Sequence, residues 1–502
     1  MSQAYPETAS KFEYFEDVME EVGWGLYSRY MMVVGCLLCF AHAGQSLSLP
    51  LGLPFSTCES NITEKVIINI YMYYFIGTFL GGQIMNSASD YFGRKKLIMF
   101  SLVSSFLCQF TCAFTNNLAL IYCATFILGS CLENIICSVK VIVAEVLTVE
   151  KRPFYMVLFD ICWTFGYTVT TGLSTFLVTS HNKEKHGIDM KLGYWRLIFA
   201  FTGGLTLFLA CVASLMEESP RYLLHNKRQF LAVALVKQYF TINKSRYSDY
   251  LPIKENDLQN LIGDYNLTFF PGPMFFGEQL SKFLSRMCKA WLLLTKKRFM
   301  SQTLILAILN VSLFYGLFNT QSLLTNMLHN NGSETFQGVL DLHLIRPHDE
   351  QCTFNVEYAI YKYFLILCVS TLLGRIVLLF LVTRINTKIP MSIFCVLSSV
   401  CLFLTQIPQI SDILLLLCCV TIASYGMVET LLIIKTIELF PTAVRCTVVG
   451  VTRFAKIAVF IIMVQNWNFP WMYIIFLNAI LLLGGAIFSC FVDDLTGKPM
   501  VE

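Results

Sequence analysis

Twelve separate runs of predominantly apolar residues, each near the length that crosses a bilayer, punctuate this 502-residue chain. A run of about 20 such residues spans the hydrocarbon as a helix, because lipid leaves backbone groups no partner except one another. The first six cover Tyr30–Leu49, Val66–Met85, Leu97–Phe114, Leu118–Val143, Phe154–Thr179 and Trp195–Met216. The second six cover Phe299–Leu324, Tyr358–Val382, Pro390–Thr405, Ile413–Ile434, Thr447–Val464 and Trp471–Phe491. A polar stretch separates the sets. Composition agrees, since only 14% of residues are charged where a soluble domain has about 25%. The expected fold is an all-α membrane protein of twelve transmembrane helices in two pseudo-symmetric six-helix halves. The expected segments are an N-terminal one (1–29), the first half (30–216), a central loop (217–298), the second half (299–491) and a tail (492–502).

Basic residues orient the spans. Gly93-Arg-Lys-Lys96, Lys151 with Arg152, Arg384 with Lys388, and Arg445 share one side, whereas the loop 50–63 has no lysine or arginine. The loop after the fifth span, with three lysines, dissents. The majority puts both termini in the cytosol and the sequons at Asn61 and Asn331 outside, with those at Asn243 and Asn266 inside. The acidic N-terminus does not read as a cleavable signal. A net charge of +3 argues against a nucleic-acid partner. Most of the 19 cysteines fall within spans and read as small buried side chains, Cys36 and Cys39 included. A bridge between the loop cysteines Cys58 and Cys352 is not expected.

Two short stretches carry a repeat. "AEVLTVEKR" (144–152) and "IELFPTAVR" (437–445) each place a glutamate seven residues ahead of an arginine, Glu145 before Arg152 and Glu438 before Arg445, about 290 residues apart. Each falls between the fourth and fifth span of its half, so the two are equivalent corners of a duplicated architecture.

"SDYFGRKK" from Ser89 resembles the loop signature of the major facilitator superfamily after its second span. "ESPRYLL" from Glu218 and "ELFPTAVR" from Glu438 resemble its organic cation and anion transporter branch. "EVLTVEKR", "YWRLIFAF" and "ESPRYLLHN" together look closest to the synaptic vesicle glycoprotein 2-like (insect-type) proteins. Asn86, Tyr91 and Thr125 stand where that pattern has glycine, arginine and arginine. The N-terminal tail and the loop before span eight are short, so a synaptic role is not carried over. The resemblance implies a solute site between the halves at mid-membrane, with the halves rocking to open one side at a time. It also implies that charges at the cytosolic face join the halves while the outside is open. Asp90, Arg94, Glu145, Arg152, Glu218 and Arg221 in the first half, and Glu438 and Arg445 in the second, suit that role. Arg384, Lys388, Asp493 and Asp494 extend the thinner second set. Asp90 is placed to meet the positive N-terminal end of span eleven.

Charges within spans cost about 2.5–3.5 kcal/mol each at a helix centre, so they need partners or a polar cavity. Lys140 and Asp160 match in depth and read as a structural pair. Glu133, about 18 Å from Glu145 along its helix, has no evident partner and is a substrate-site candidate. In the second half Arg375, Arg453 and Lys456 face Glu429 alone, and this surplus of cations favours an anionic solute. Tyr71, Tyr73, Tyr74, Phe75, Trp163, Phe165, Phe314 and Tyr315 are aromatic candidates for the cavity wall, although packing is the commoner use of such residues.

The expected function is therefore a secondary-active or facilitative transporter of a small organic ion, an anion favoured. The alternative is a transporter-like vesicle or membrane protein that binds or traffics without transport. No phosphate-loop, H-E-x-x-H or G-x-S-x-G motif occurs, so no enzyme, cofactor or metal is expected. A small organic solute and the bilayer are the expected partners of a monomeric chain in the plasma membrane or an intracellular vesicle membrane.

Overall fold

The computed structural model describes residues 15–53, 64–183, 194–244, 276–296, 299–313, 358–405, 411–453 and 471–492. All regular structure among them is helical. A short helix α1 (Phe15–Val22) precedes the first span, α2 (Leu26–Gly52). The second span is α3 (Glu64–Ile76), a π-helical turn (Gly77–Gly81) and α4 (Gly82–Phe92). Spans three to six are α5 (Arg94–Phe114), α6 (Leu118–Val146), α7 (Arg152–Lys183) and α8 (Tyr194–Ala213). The central segment holds α9 (Pro220–His225), α10 (Gln229–Lys244) and α11 (Phe276–Leu294). The second half supplies α12 (Phe299–Leu313), α13 (Tyr358–Val382), α14 (Lys388–Leu404) and α15 (Ser411–Leu439). It ends in α16, described over 445–453, and α17 (Trp471–Phe491).

Among the described residues, each of the twelve apolar runs falls on a helix. Six of these helices are individually long and apolar enough to cross a bilayer. Their hydrophobicity is not confined to one stripe: large side chains such as Phe176, Phe208, Phe380 and Ile487 point outward, as lipid-facing positions require.

Within the first half α5 packs on α6 and α8, and α2 on α7 and α8; in the second, α14 packs on α15 and α17. The halves meet through α7 against α13 and, more lightly, α15. The π-helical turn lies against α6. A Cβ on Gly77 would stand 2.0 Å from the Phe126 carbonyl oxygen, so only glycine lets the two backbones approach this closely. The Ser130 hydroxyl donates to the Gly77 carbonyl at 3.0 Å, serving an acceptor where the regular ladder is interrupted.

The face bearing both Glu-x6-Arg corners, here the corner face, also carries α1, α9, α10 and α11. Gly93 ends α4 and opens α5 at φ 115°, a conformation that favours glycine.

Candidate functional site

Two layers of charge lie between the halves, one at the corner face and one deeper.

In the corner layer Glu145, wholly buried at the end of α6, accepts from Arg94 Nη2 at 3.1 Å and from Arg445 Nη1 at 2.8 Å. Arg94 belongs to the first half and Arg445 to the second, so this carboxylate joins them. Arg94 Nη2 also donates to the Thr442 carbonyl at 2.8 Å. Asp90 accepts the backbone N–H of Cys446 at 3.3 Å and of Thr447 at 2.8 Å, plus the Thr447 hydroxyl at 2.9 Å. It sits at the N-terminal end of span eleven, where unpaired N–H groups and the helix dipole favour an anion. Arg94 lies 3.5 Å from it.

Asp90 meets the start of span eleven where the sequence placed it, and Arg445, grouped with the charges of the second half, reaches Glu145 of the first. Glu438 is 3.8 Å from Lys435 on its own helix. Arg445 turns back to the Phe440 carbonyl at 3.1 Å, and Arg152 to the Leu147 carbonyl at 3.3 Å, the equivalent position in its half. The repeat therefore preserves the arginine's local bond to its corner. Arg384 is exposed and Lys388 half-buried.

Arg152 and Arg221 meet a residue that sequence reasoning missed. Glu16 of α1 lies 2.6 Å from Arg221 and 3.6 Å from Arg152, and the Phe15 ring packs under the Arg221 guanidinium. A carboxylate in a short acidic helix has no local signature that marks it as a buried partner. Glu218 accepts the N–H groups of Arg94 and Lys95, both at 3.2 Å, and of Ser219 at 3.0 Å. Burial raises its carboxyl above the ordinary value near 4.5, against the opposing pull of Arg94 and these N–H groups.

The deeper layer lies about 12–18 Å along the helices from the corner residues, which is mid-bilayer. Arg453 Nη1 donates to Glu133 Oε1 at 3.0 Å, and Arg453 Nη2 lies 3.8 Å from Glu429. Arg375 Nη2 meets Glu429 at 3.4 Å. Glu133 is thus not partnerless. It balances the second half from the first, so the described network holds two arginines and two glutamates, and the surplus of cations does not stand among them. Glu429 is the most open of the four at 30% exposure, and Arg375 the least at 1%.

Arg375 also crosses the halves. Its Nη1 donates to the Asp160 carbonyl at 2.9 Å and to the Thr164 hydroxyl, and its Nε faces the Gly426 carbonyl at 3.4 Å. The Asp160 carboxylate meets Lys140. The Arg375 guanidinium lies over the Trp163 ring at 5.2 Å. Indole N–H only donates, so its 2.9 Å bond to His42 Nδ1 makes that nitrogen an acceptor, and Nε2–H donates to the Leu132 carbonyl at 3.1 Å. His42 and Thr164 were not among the candidates; only a histidine inside an apolar span hinted at the first.

Lys456, Asn61, Asn331, Asp493, Asp494, Cys58, Cys352, Asn266, Phe314 and Tyr315 lie outside the described residues. Asn243 is described, and its side-chain oxygen accepts the N–H groups of Tyr27 at 3.0 Å and Ser28 at 3.4 Å.

Twelve spanning helices in two halves, joined by charge at one face and again at mid-membrane, define a multi-pass membrane protein of the transporter class. The chain belongs to the Major Facilitator Superfamily, whose sequence pattern matches residues 31–463. It is 24% identical to organic cation/carnitine transporter 7 of Arabidopsis thaliana, over 87% of this chain and 84% of that protein. It is 26% identical to the niacin transporter NiaP of Acinetobacter baylyi over 33% of this chain and 35% of the relative. Human synaptic vesicle glycoprotein 2B is 22% identical over 46% of this chain and 34% of its own length. The proton:xylose symporter XylE shares the fold, with TM-score 0.61, 14% identity, and coverage of 97% of this chain and 99% of the other.

Proposed function

We propose that the protein carries a small organic ion across a membrane by alternating access, as a monomer whose solute site is the layer of Arg375, Glu429, Arg453 and Glu133. The corner face is cytosolic in this reading, as are both termini and the central segment 217–298. The observation that carries it is the Glu133–Arg453 bridge, 3.0 Å long and mid-membrane. A group that joins the halves only while paired is a group whose partner a solute can replace. Arg453 then passes from a protein carboxylate to a solute carboxylate without being left unpaired, which lipid would penalise. The preference for an anion follows from this exchange, with Lys456, three residues further along the sequence, as the additional cation.

A cation is the second reading, favoured by the 30% exposure of Glu429. Uptake into proteoliposomes separates the two. Nicotinate, carnitine and myo-inositol supply an anion, a zwitterion and a neutral polyol. Saturable nicotinate uptake, lost in Arg453→Ala, is expected. Carnitine uptake that survives Arg453→Ala but not Glu429→Gln would reverse the sign. Binding without uptake of any probe would favour a non-transporting role.

A further inference from the structure

Helix α11 joins the central segment to the second half, and it is fixed at two points on the corner face. At mid-helix Arg286 donates to the Asp90 carbonyl at 3.2 Å and to Asn226 at 3.4 Å. Phe283 stacks on Phe92 at 5.9 Å and meets Tyr91 at 5.5 Å. Near its end Ala290, Leu293 and Leu294 are buried in the same core as Phe299, the first residue of α12. Arg286 and Leu294 are about 12 Å apart along the axis. One point is where α4 leaves the membrane and the other where α12 enters it, so α11 runs along the face rather than away from it.

Its inward side is complete, with Phe283, Arg286, Ala290, Leu293 and Leu294 all buried. The other side is mixed, with Ser281, Lys282, Ser285 and Lys289 exposed beside apolar residues. Leu280, Leu284, Trp291 and Leu292 follow helical spacing and are exposed, Leu292 at 64%. Exposed Lys282, Lys289 and Lys296 lie on the opposite side of the helix from Leu280, Leu284 and Trp291; Lys282 also meets Glu278 at 3.2 Å. Large exposed apolar patches mark a contact surface. This one is continuous with the lipid-facing belt, because Phe92 beneath it and Met300 and Leu304 at the start of α12 are exposed as well.

The geometry points to α11 as a membrane-surface helix. Its leucine and tryptophan stripe lies in the boundary between headgroups and acyl chains on the corner face, and its lysines face the water on the opposite side. An apolar stripe with basic side chains opposite it is what that boundary accepts; a protein partner would not require the stripe to continue the lipid belt. The inference rests on the fold and not on the transport reading. Its consequence reaches the corner layer, since Arg286 grips the backbone of Asp90 while the Asp90 carboxylate holds the start of span eleven. The leaflet is thereby coupled to an inter-half contact.

The test places a nitroxide at positions 280, 282, 284, 289 or 291 of the full chain, on a ketone-bearing residue so that native cysteines stay. The protein is reconstituted in phosphatidylcholine vesicles containing phosphatidylserine. Oxygen collisions should exceed nickel-chelate collisions at 280, 284 and 291, with the order reversed at 282 and 289. Nickel dominating throughout would show a helix in water. Both reagents excluded from 280, 284 and 291 would show a protein cover; either result overturns the proposal.

Discussion

Arg453 stands between carboxylates of opposite halves, Glu133 at 3.0 Å and Glu429 at 3.8 Å. Removing one partner of a fully buried pair destabilises by about 3–5 kcal/mol. Arg453 is 14% exposed, so Arg453→Ala should cost roughly 2 kcal/mol, below that range. Thermal unfolding in detergent should therefore show a lowered but cooperative transition, while nicotinate uptake is lost. Arg453→Lys keeps a point charge without the two-point fork and should retain part of the uptake. Exchanging the pair, Glu133→Arg with Arg453→Glu, should recover stability better than either single change. No recovery in the exchange would mean the bridge does not join the halves. The four residues were visible in the sequence as costly mid-span charges, but their pairing was not. Depth along a helix is legible from residue counts, whereas the direction a side chain faces across a contact of 320 residues' separation is not. That is why Glu133 looked alone, while Lys140 and Asp160, only 20 residues apart on adjoining spans, could be matched by depth.

At the scale of elements, three spans begin with a cap supplied from elsewhere in the chain. Gly25 and Gly93 open α2 and α5 with no side chain to cap them. Asn243 takes the first-turn N–H groups of α2, Glu218 those of α5, and Asp90 those of α16. Asn243→Ala should lower stability by about 1 kcal/mol, as loss of a cap does, and Asn243→Asp should recover only part of it, because Nδ2 also donates to the Gly23 carbonyl at 2.9 Å; matched denaturant titrations would show it, and equal losses would refute the capping role. Glu218 adds a pH effect. Its folded carboxyl is raised above the ordinary value by burial, so the folded state binds more protons, and stability falls as pH rises upward from about 4.5. Glu218→Gln should flatten that slope; an unaltered slope would assign it to another group. The span boundaries were readable because twenty apolar residues leave lipid-spanning helices little alternative. These caps were not, since a cap in trans has no local spacing. Asp90 was the exception, reached because its loop signature fixes it beside the second half. The π-helical turn at Gly77–Gly81 likewise has no sequence mark beyond its glycines.

At the scale of the whole molecule, the repeated corner motif led to the expectation that Glu145 and Glu438 do the same job. The two carboxylates have different contacts in the structure. Glu145 accepts from arginines of both halves, whereas Glu438 is 3.8 Å from Lys435 on its own helix. The two glutamates should therefore respond unequally to substitution. Glu145→Gln keeps the shape of the side chain and removes the charge that two buried arginines require. Hydrogen bonds to charged groups are worth about 1.5–3 kcal/mol, so a loss near 2 kcal/mol would raise opening of the corner face about thirty-fold. Hydrogen–deuterium exchange should rise at 439–453 and 86–97 together, because the two stretches protect each other across the halves. Glu438→Gln should raise exchange at 86–97 less than Glu145→Gln does, because Arg94 of that stretch bonds Glu145. Equal exchange at 86–97 in the two variants, both normally folded, would restore the symmetric reading and remove Glu145 from its place between the halves.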